Sequence, residues 1–96
     1  MTENEGIAPK YLERLFSDRY AVRILLWLDE HRMGSPVEIA RELDTIPADV
    51  RMGLAVLDEL DLIAIDEICG EPCVMLSMKG NHVAAIFRQI EETMEQ

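Results

Sequence analysis

Hydrophobic residues recur at helical spacing along most of the 96-residue chain, and the clearest pattern covers residues 39–63. Apolar positions three and four apart occur there twice, on either side of a break at 44–47. The break contains Asp44 and Thr45, which favour turns, and Pro47, whose fixed φ suits the first turn of a helix. This stretch predicts two short helices that meet at a tight corner, the second of them beginning near Pro47.

Two more helices are predicted before this pair. A short amphipathic pattern covers 11–16, with Pro9 at its start. A stronger pattern covers 19–32, with a capping residue at 17–18 and Gly34 as the residue that ends the helix.

The first helix of the corner has a clear beginning. Ser35 is a good N-cap, Pro36 follows in the first helical position, and Glu38 lies three residues after the cap, which completes a capping box. The sequence therefore predicts a helix that begins at Pro36.

The helix predicted over 19–32 is apolar over a wide arc. Leu26 and Trp27 lie beside its inward stripe rather than within it. Because a domain of this size has little core to spare, we interpret Leu26 and Trp27 as part of a surface that contacts a partner.

A β-hairpin is predicted after the corner. A run rich in β-branched residues starts near Leu62, and a second apolar run covers 74–76. The segment between them is expected to form the hairpin, with its tip at 70–72. Cys69 and Cys73 flank this tip and are expected to face each other across the two strands.

The last helix is predicted to run from about Gly80 or Asn81 to the C-terminus. Its apolar residues recur at steps of four, three and four, which is the spacing of a coiled-coil seam. This favours a homodimer, although packing of the helix back onto its own domain stays open as the alternative. The predicted dimer interface consists of Leu26, Trp27, Val83, Phe87, Ile90 and Met94.

Length and composition limit the class of protein. A chain of 96 residues with 49% hydrophobic residues has room for one domain with a modest core, which oligomerisation would help to stabilise. There is no run of about eighteen apolar residues, and residues 1–9 lack a basic and then apolar signal. We therefore expect a cytoplasmic protein with a flexible N-terminus over 1–8 and no membrane partner.

The corner and the segments after it resemble the winged helix-turn-helix proteins, a broad group of bacterial and archaeal regulators that includes the MarR and ArsR types. The segment 76–80 (LSMKG) is similar to the Leu-Thr-x-Lys-Gly signature found where the wing of this group passes into the next helix. The other residues that carry the resemblance are 39–43 (IAREL), Val50, Leu54, Leu57 and 60–63 (LDLI).

The resemblance implies a mainly α fold with a small β-hairpin wing (α+β). The first helix of the corner would support the second, which would enter the DNA major groove. It implies a winged helix-turn-helix domain over residues 9–80 and an added C-terminal dimerisation helix over 81–96. The expected function is that of a DNA-binding transcriptional regulator acting as a homodimer on double-stranded DNA.

The same resemblance assigns DNA contacts to the outward residues of the second helix. Only Arg51 offers a bidentate contact to guanine or a strong phosphate contact, whereas Met52 and Ala55 offer apolar contacts. Arg41 on the supporting helix and Lys79 after the wing are nearby cations. The alternative for Arg41 is a surface ion pair, and the alternative for Lys79 is a structural role at the end of the strand. The candidate DNA-binding residues are Arg41, Ala48, Asp49, Arg51, Met52, Ala55 and Lys79.

The acidic composition argues against avid DNA binding. The net charge is −10, and from 47 to 61 a single arginine stands against four carboxylates, whereas nucleic-acid binding depends largely on Lys and Arg. Glu71 also occupies the wing tip, where a basic residue commonly contacts DNA. The alternative is an acidic winged-helix module for protein interaction, in which Met52, Ala55 and Val56 dock a protein partner and DNA is not bound.

No catalytic constellation emerges from the sequence, since neither a phosphate-binding loop nor a nucleophile elbow occurs. We expect a protein that is not an enzyme and needs no cofactor. Cys69 and Cys73 are the only cysteines and are expected to be reduced thiols. A thiol-responsive regulator, or a metal-responsive one with His82 or a partner chain completing the ligands, is a minor alternative, because the spacing matches no zinc motif.

Overall fold

Five helices and three strands follow one another along residues 9–68 and 70–96, the part of the chain that the computed structural model describes. The strands form one antiparallel sheet in the order β1-β3-β2. Within these ranges no helix combines the length and the hydropathy needed to cross a membrane. In chain order the elements are α1 (Lys10–Phe16), α2 (Ala21–His31), β1 (Met33–Gly34), α3 (Pro36–Glu42), α4 (Pro47–Glu59), β2 (Ile63–Ile68), β3 (Glu71–Leu76) and α5 (Met78–Glu95).

The predicted architecture, mainly α with a hairpin wing, is confirmed, and β1 is an addition to it. Arg32, with a φ of 80°, ends α2, and β1 then pairs with β3. Gly34 is needed in this strand because a Cβ there would lie 2.6 Å from two carbons of the Trp27 ring. The prediction that Gly34 ends the helix was therefore wrong: the glycine permits close packing of β1 on α2.

The beginning of α2 also differs from the prediction. The helix begins at Ala21 instead of Arg19, and its N-cap residue Tyr20 makes no side-chain capping hydrogen bond. Asp18 lies before the helix, and its Oδ1 accepts a hydrogen bond from the Tyr20 N–H at 2.8 Å. The carboxylate therefore holds the turn between α1 and α2.

The corner between α3 and α4 has the predicted form. Ser35 Oγ accepts a hydrogen bond from the Glu38 N–H at 3.1 Å, and Pro36 lies in the first turn of α3. Asp44 has a φ of 58°, in the left-handed region that favours glycine and that aspartate tolerates better than most residues. As predicted, α4 begins at Pro47.

The core is organised around α2, which packs against α1, α4, α5, β1 and β3. Because α2 has neighbours on several sides, Trp27 is only 8% exposed, and Val56 of α4 is 4% exposed. The predictions that these two side chains lie on outer surfaces were wrong. The largest fully buried side chains are Ile24, Leu25, Leu28, Ile39, Val50, Leu57 and Val74.

The wing passes into α5 through a tight junction. The helix begins at Met78, slightly before the predicted start, with Ser77 as its N-cap. Ser77 Oγ accepts a hydrogen bond from the Gly80 N–H at 3.0 Å and donates one to the Asp61 carbonyl at 2.7 Å. A Cβ on Gly80 would overlap the Leu62 carbonyl oxygen and lie 2.9 Å from its carbon. The serine and the glycine of this segment are thus both required by the packing of the junction.

The second strand of the hairpin begins at Glu71, earlier than the predicted run over 74–76. Its pairing extends from Ile63 opposite Leu76 to Ile68 opposite Glu71. The predicted tip at 70–72 was therefore wrong, because Glu71 already belongs to β3.

Candidate nucleic-acid interface

The side of α4 that faces away from the core is mixed in character. Ala48, Arg51, Met52 and Ala55 are exposed on it, and Met52 retains 64% of its accessible surface. Arg51 is the only cation in α4. The structure thus brings these four predicted residues to one face, on which Arg51 is the one cation and the exposed Asp58 and Glu59 follow toward the end of the helix.

A groove beside α4 places Arg51 together with Arg41 of α3. Its walls are the start of α3, residues 35–38, and the wing residues Glu71 and Pro72. Within 9–68 and 70–96, neither arginine forms an ion pair with a carboxylate. Both guanidinium groups can therefore bind an external anion, while Glu38 and Glu71 supply opposing charge in the same groove.

Asp49 has a role within its own chain. Thr45 Oγ1 donates a hydrogen bond to Asp49 Oδ2 at 2.6 Å, and the half-buried carboxylate lies in the first turn of α4. A carboxylate at that position is stabilised by the helix dipole. Asp49 therefore supports the beginning of α4.

Lys79 lies apart from the other candidates. It lines a groove with Tyr11, Leu12 and Glu59, at the C-terminal end of α4. The helix rises by about 12 Å between Arg51 and Glu59. The structure therefore does not bring Lys79 together with the arginines of the other groove.

Arg19 is a cation near α4 that the sequence did not single out. It lines a groove with Asp49 and Met52 of α4, in the turn between α1 and α2. The guanidinium carbons of Arg19 and Arg23 each lie 5.3 Å from the centroid of the Tyr20 ring. The sequence signal was two arginines four residues apart with a tyrosine between them. The position of Arg19 beside α4 follows only from the tertiary structure.

Two other arginines are held in ion pairs that join helices. Arg14 Nε lies 3.0 Å from both Glu59 carboxylate oxygens and Nη2 lies 2.7 Å from one of them, which ties α1 to α4. This hydrogen bonding and the charge of Arg14 lower the pKa of Glu59. Arg88 donates to Asp29 at 2.9 Å and to the Leu26 carbonyl at 3.1 Å, which ties α5 to α2. These two guanidinium groups are already bound within the chain.

The predicted dimer surface on α2 is largely covered by the chain itself. The Trp27 ring stacks on His31 with centroids 4.1 Å apart and belongs to the core. Leu26 is partly buried and packs against the same core. The part of the predicted surface contributed by Trp27 is therefore not exposed.

The predicted seam on α5 divides into two parts. Val83 and Phe87 are partly buried against the core, and the Phe87 ring meets Phe16 edge to face with centroids 6.1 Å apart. Farther along, Ile90 is 42% and Met94 is 78% exposed. The first half of the seam thus packs on its own domain, as the alternative to a dimer predicted. The second half is exposed.

Of the two cysteines predicted to face each other, only Cys73 belongs to the described residues. Cys69 lies outside the described residues. Cys73 is half-buried in β3 and lies opposite Asp66, so Asp66 and not a cysteine is its cross-strand partner. His82 is exposed on α5, and the described ranges hold no group of three His, Cys, Asp or Glu side chains placed to bind a metal ion.

The α3–α4 corner, the sheet with its β2–β3 wing and the helix that follows define a winged helix-turn-helix protein. Two solved structures of one double mutant of ZitR from Lactococcus lactis are similar to it. One has 26% identity and a TM-score of 0.73 over 78% of this chain and 53% of that one. The other, in the apo form, has 25% identity and a TM-score of 0.74 over 96% and 70%. The chain thus spans about half the length of the first ZitR structure.

More distant structures share the fold over nearly the whole chain. A transcriptional regulator homologue from Pyrococcus horikoshii OT3 has 17% identity and a TM-score of 0.73 over 99% of this chain and 96% of that one. The transcriptional regulator HlyU from Vibrio vulnificus CMCP6 has 16% identity and a TM-score of 0.70 over 93% of both chains. No protein-family model and no curated protein sequence matches the chain.

Proposed function

We propose that this protein is a DNA-binding transcriptional regulator of the winged-helix type that acts as a homodimer. The observation that carries the proposal is the groove in which Arg51 and Arg41 lie together, neither paired with a carboxylate of the described residues. In this fold the second helix of the corner enters the major groove, and Arg51 on that helix is the residue proposed to contact base edges and phosphates. Two fold neighbours are themselves described as a transcriptional regulator and a homologue of one.

Acidic side chains are present both in the grooves beside α4, which Asp18, Glu38, Asp49 and Glu71 help to line, and at the end of α5. Exposed glutamates gather over 91–95 near the end of α5, and α5 packs mainly on α2 and β3. Arg19, Arg41 and Arg51 all line grooves beside α4 or contribute to its exposed face. Because exposed charges are screened beyond about 8 Å at physiological salt, the arginines and carboxylates that line these grooves influence DNA more than the glutamates at the end of α5.

The exposed half of α5 supports a second copy of the chain as partner. Ile86, Ile90 and Met94 are 47%, 42% and 78% exposed and together line a shallow groove on the helix. An apolar stripe of this kind favours helix pairing, and burial of it would add to the small core. A two-fold dimer would present two α4 helices to half-sites about 34–36 Å apart.

A protein partner at α4 is the second candidate function. Met52, Ile46 and Val37 are 64%, 59% and 54% exposed around the same corner. Apolar side chains of this size fit a protein surface at least as well as thymine methyl groups. In that case α4 would dock a protein and the arginines would lie at the rim of the contact.

The test compares two single variants by fluorescence anisotropy on a labelled duplex at 50 mM salt. Arg51→Ala is expected to weaken binding about tenfold, since one strong contact to a base or phosphate is lost. Lys79→Ala is the matched control and is expected to bind like the wild type, because Lys79 lies at the other end of α4. If Arg51→Ala binds with unchanged affinity, α4 is not the helix that docks on DNA.

A further inference from the structure

The turn between α1 and α2 is fixed against α4 by a close approach at Gly53. A Cβ on this glycine would lie 2.7 Å from Ile24 Cδ1, 3.1 Å from Asp18 Oδ1 and 3.5 Å from the Ala21 backbone nitrogen. The backbone of this turn therefore lies close to α4.

Arg19 in this turn and Arg23 in the first turn of α2 both lie close to one aromatic ring. Arg19 and Arg23 lie 5.3 Å from the centroid of the half-buried Tyr20 ring, within the range of cation–π attraction. Neither guanidinium is ion-paired with a carboxylate in the described ranges. The aromatic contact restricts both side chains without neutralising their charge.

Arg19 faces the same groove as the exposed Met52 of α4. The two carboxylates in this groove are already bound within the chain. Asp18 accepts a hydrogen bond from the Tyr20 N–H at 2.8 Å, and Asp49 accepts one from Thr45 at 2.6 Å. They oppose the charge of Arg19 in this groove, but among the described residues neither is ion-paired with an arginine.

The exposed face of α4 thus has cations on two sides. Arg41 and Arg51 lie in the groove toward the wing, and Arg19 lies in the groove toward the α1–α2 turn. A helix in the major groove, which is about 12 Å wide, has a sugar–phosphate backbone on each side. Contacts to both backbones fix the orientation of such a helix.

We infer that Arg19 and Arg23, held on Tyr20, form a second phosphate-binding site that contacts the backbone of duplex DNA beside α4. This inference rests on the proposed function, because it requires α4 to dock on DNA. It assigns the α1–α2 turn to the binding surface and names the phosphodiester group as the ligand. The two arginines supply sequence-independent affinity, while Arg51 is the residue placed to contact bases.

The test measures the affinity for a mixed-sequence duplex between 50 and 200 mM salt. Arg19→Ala/Arg23→Ala is expected to weaken binding about tenfold or more at the low salt concentration and to reduce the slope of log K against log salt by about 1.8 per protomer. Arg19→Lys/Arg23→Lys keeps the charges and is expected to retain most of the slope. Lys10→Ala/Lys79→Ala removes the same charge elsewhere and is expected to retain the wild-type slope.

The outcomes separate the inference from the function on which it rests. If the Arg19→Ala/Arg23→Ala variant binds like the wild type while Arg51→Ala is weakened, the second phosphate site is refuted and the DNA-binding function stands. An equal loss in Lys10→Ala/Lys79→Ala also refutes it, because the effect would then be one of total charge. If the wild type fails to bind duplex DNA at 50 mM salt, both proposals are wrong. Urea unfolding of each variant verifies that the chain remains folded.

Discussion

Replacement of Gly80 by alanine is expected to disrupt the junction between the wing and α5. A Cβ would lie 2.9 Å from the Leu62 carbonyl carbon and closer still to its oxygen, whereas non-bonded carbons prefer about 3.5–4.0 Å. Leu62 has little freedom to retreat, because its carbonyl accepts a hydrogen bond from the Ser77 N–H at 3.0 Å. Ser77 is in turn bonded to Asp61 and to Gly80 itself.

The expected loss is a balance of three effects. Forcing an extra carbon against backbone costs about 1–3 kcal/mol. Each weakened hydrogen bond of the junction adds about 0.5–1.5 kcal/mol. Alanine regains about 1 kcal/mol through its higher helix propensity. Gly80→Ala is therefore expected to lower the free energy of unfolding by about 2–4 kcal/mol.

The measurement is urea unfolding followed by circular dichroism at one fixed protein concentration. Gly53→Ala is the matched control, because its Cβ would meet the side-chain ends of Ile24 and Asp18, which can rotate away more easily than backbone. Gly53→Ala is expected to lower the free energy of unfolding by less than Gly80→Ala does. If Gly80→Ala unfolds at the wild-type urea concentration, or loses less than Gly53→Ala, the account of the junction is refuted.

Further predictions concern the α1–α4 ion pair and the dimer. Because Arg14 lowers the pKa of Glu59, the pair stabilises the fold above the ordinary carboxyl pKa of about 4.3, and the contribution is lost as the pH falls through the lowered pKa. Glu59→Gln is therefore expected to lower the urea midpoint at pH 7 and to converge on the wild type as the pH falls through the lowered pKa of Glu59. Asp58→Asn, at an exposed neighbouring position, is expected to show no such convergence. Parallel curves for Glu59→Gln and the wild type would contradict the pairing. Ile90→Asp is expected to give a monomer in light scattering, while Met78→Asp, at an 88% exposed position of the same helix, is expected to remain dimeric. A wild-type monomer at micromolar concentration contradicts the proposed dimer.

The features predictable from the sequence were those set by neighbouring residues. The cap at Ser35 and the beginning of α4 at Pro47 depend on local backbone chemistry, and both were found where expected. The wing was also anticipated, although its register was not, because pairing to Glu71 is decided between two strands.

What escaped prediction depends on contacts between distant elements. Trp27 lies beside the inward stripe of α2 and was assigned to the surface, but β1 and Gly34 cover it. A strand of two residues carries too little pattern to be recognised. Arg19 became part of the candidate site only because Gly53 lets the α1–α2 turn approach α4.

We propose that the exposed side of α4 binds DNA in spite of a net charge of −10. The most direct measurement is binding of the wild-type protein to labelled mixed-sequence DNA and to DNA from upstream regions of its own genome, at a series of salt concentrations. We expect binding at about 50 mM salt, with log K falling linearly as log salt rises and with higher affinity for some upstream fragments. Absence of binding at about 50 mM salt, where phosphate contacts are strong, would contradict it.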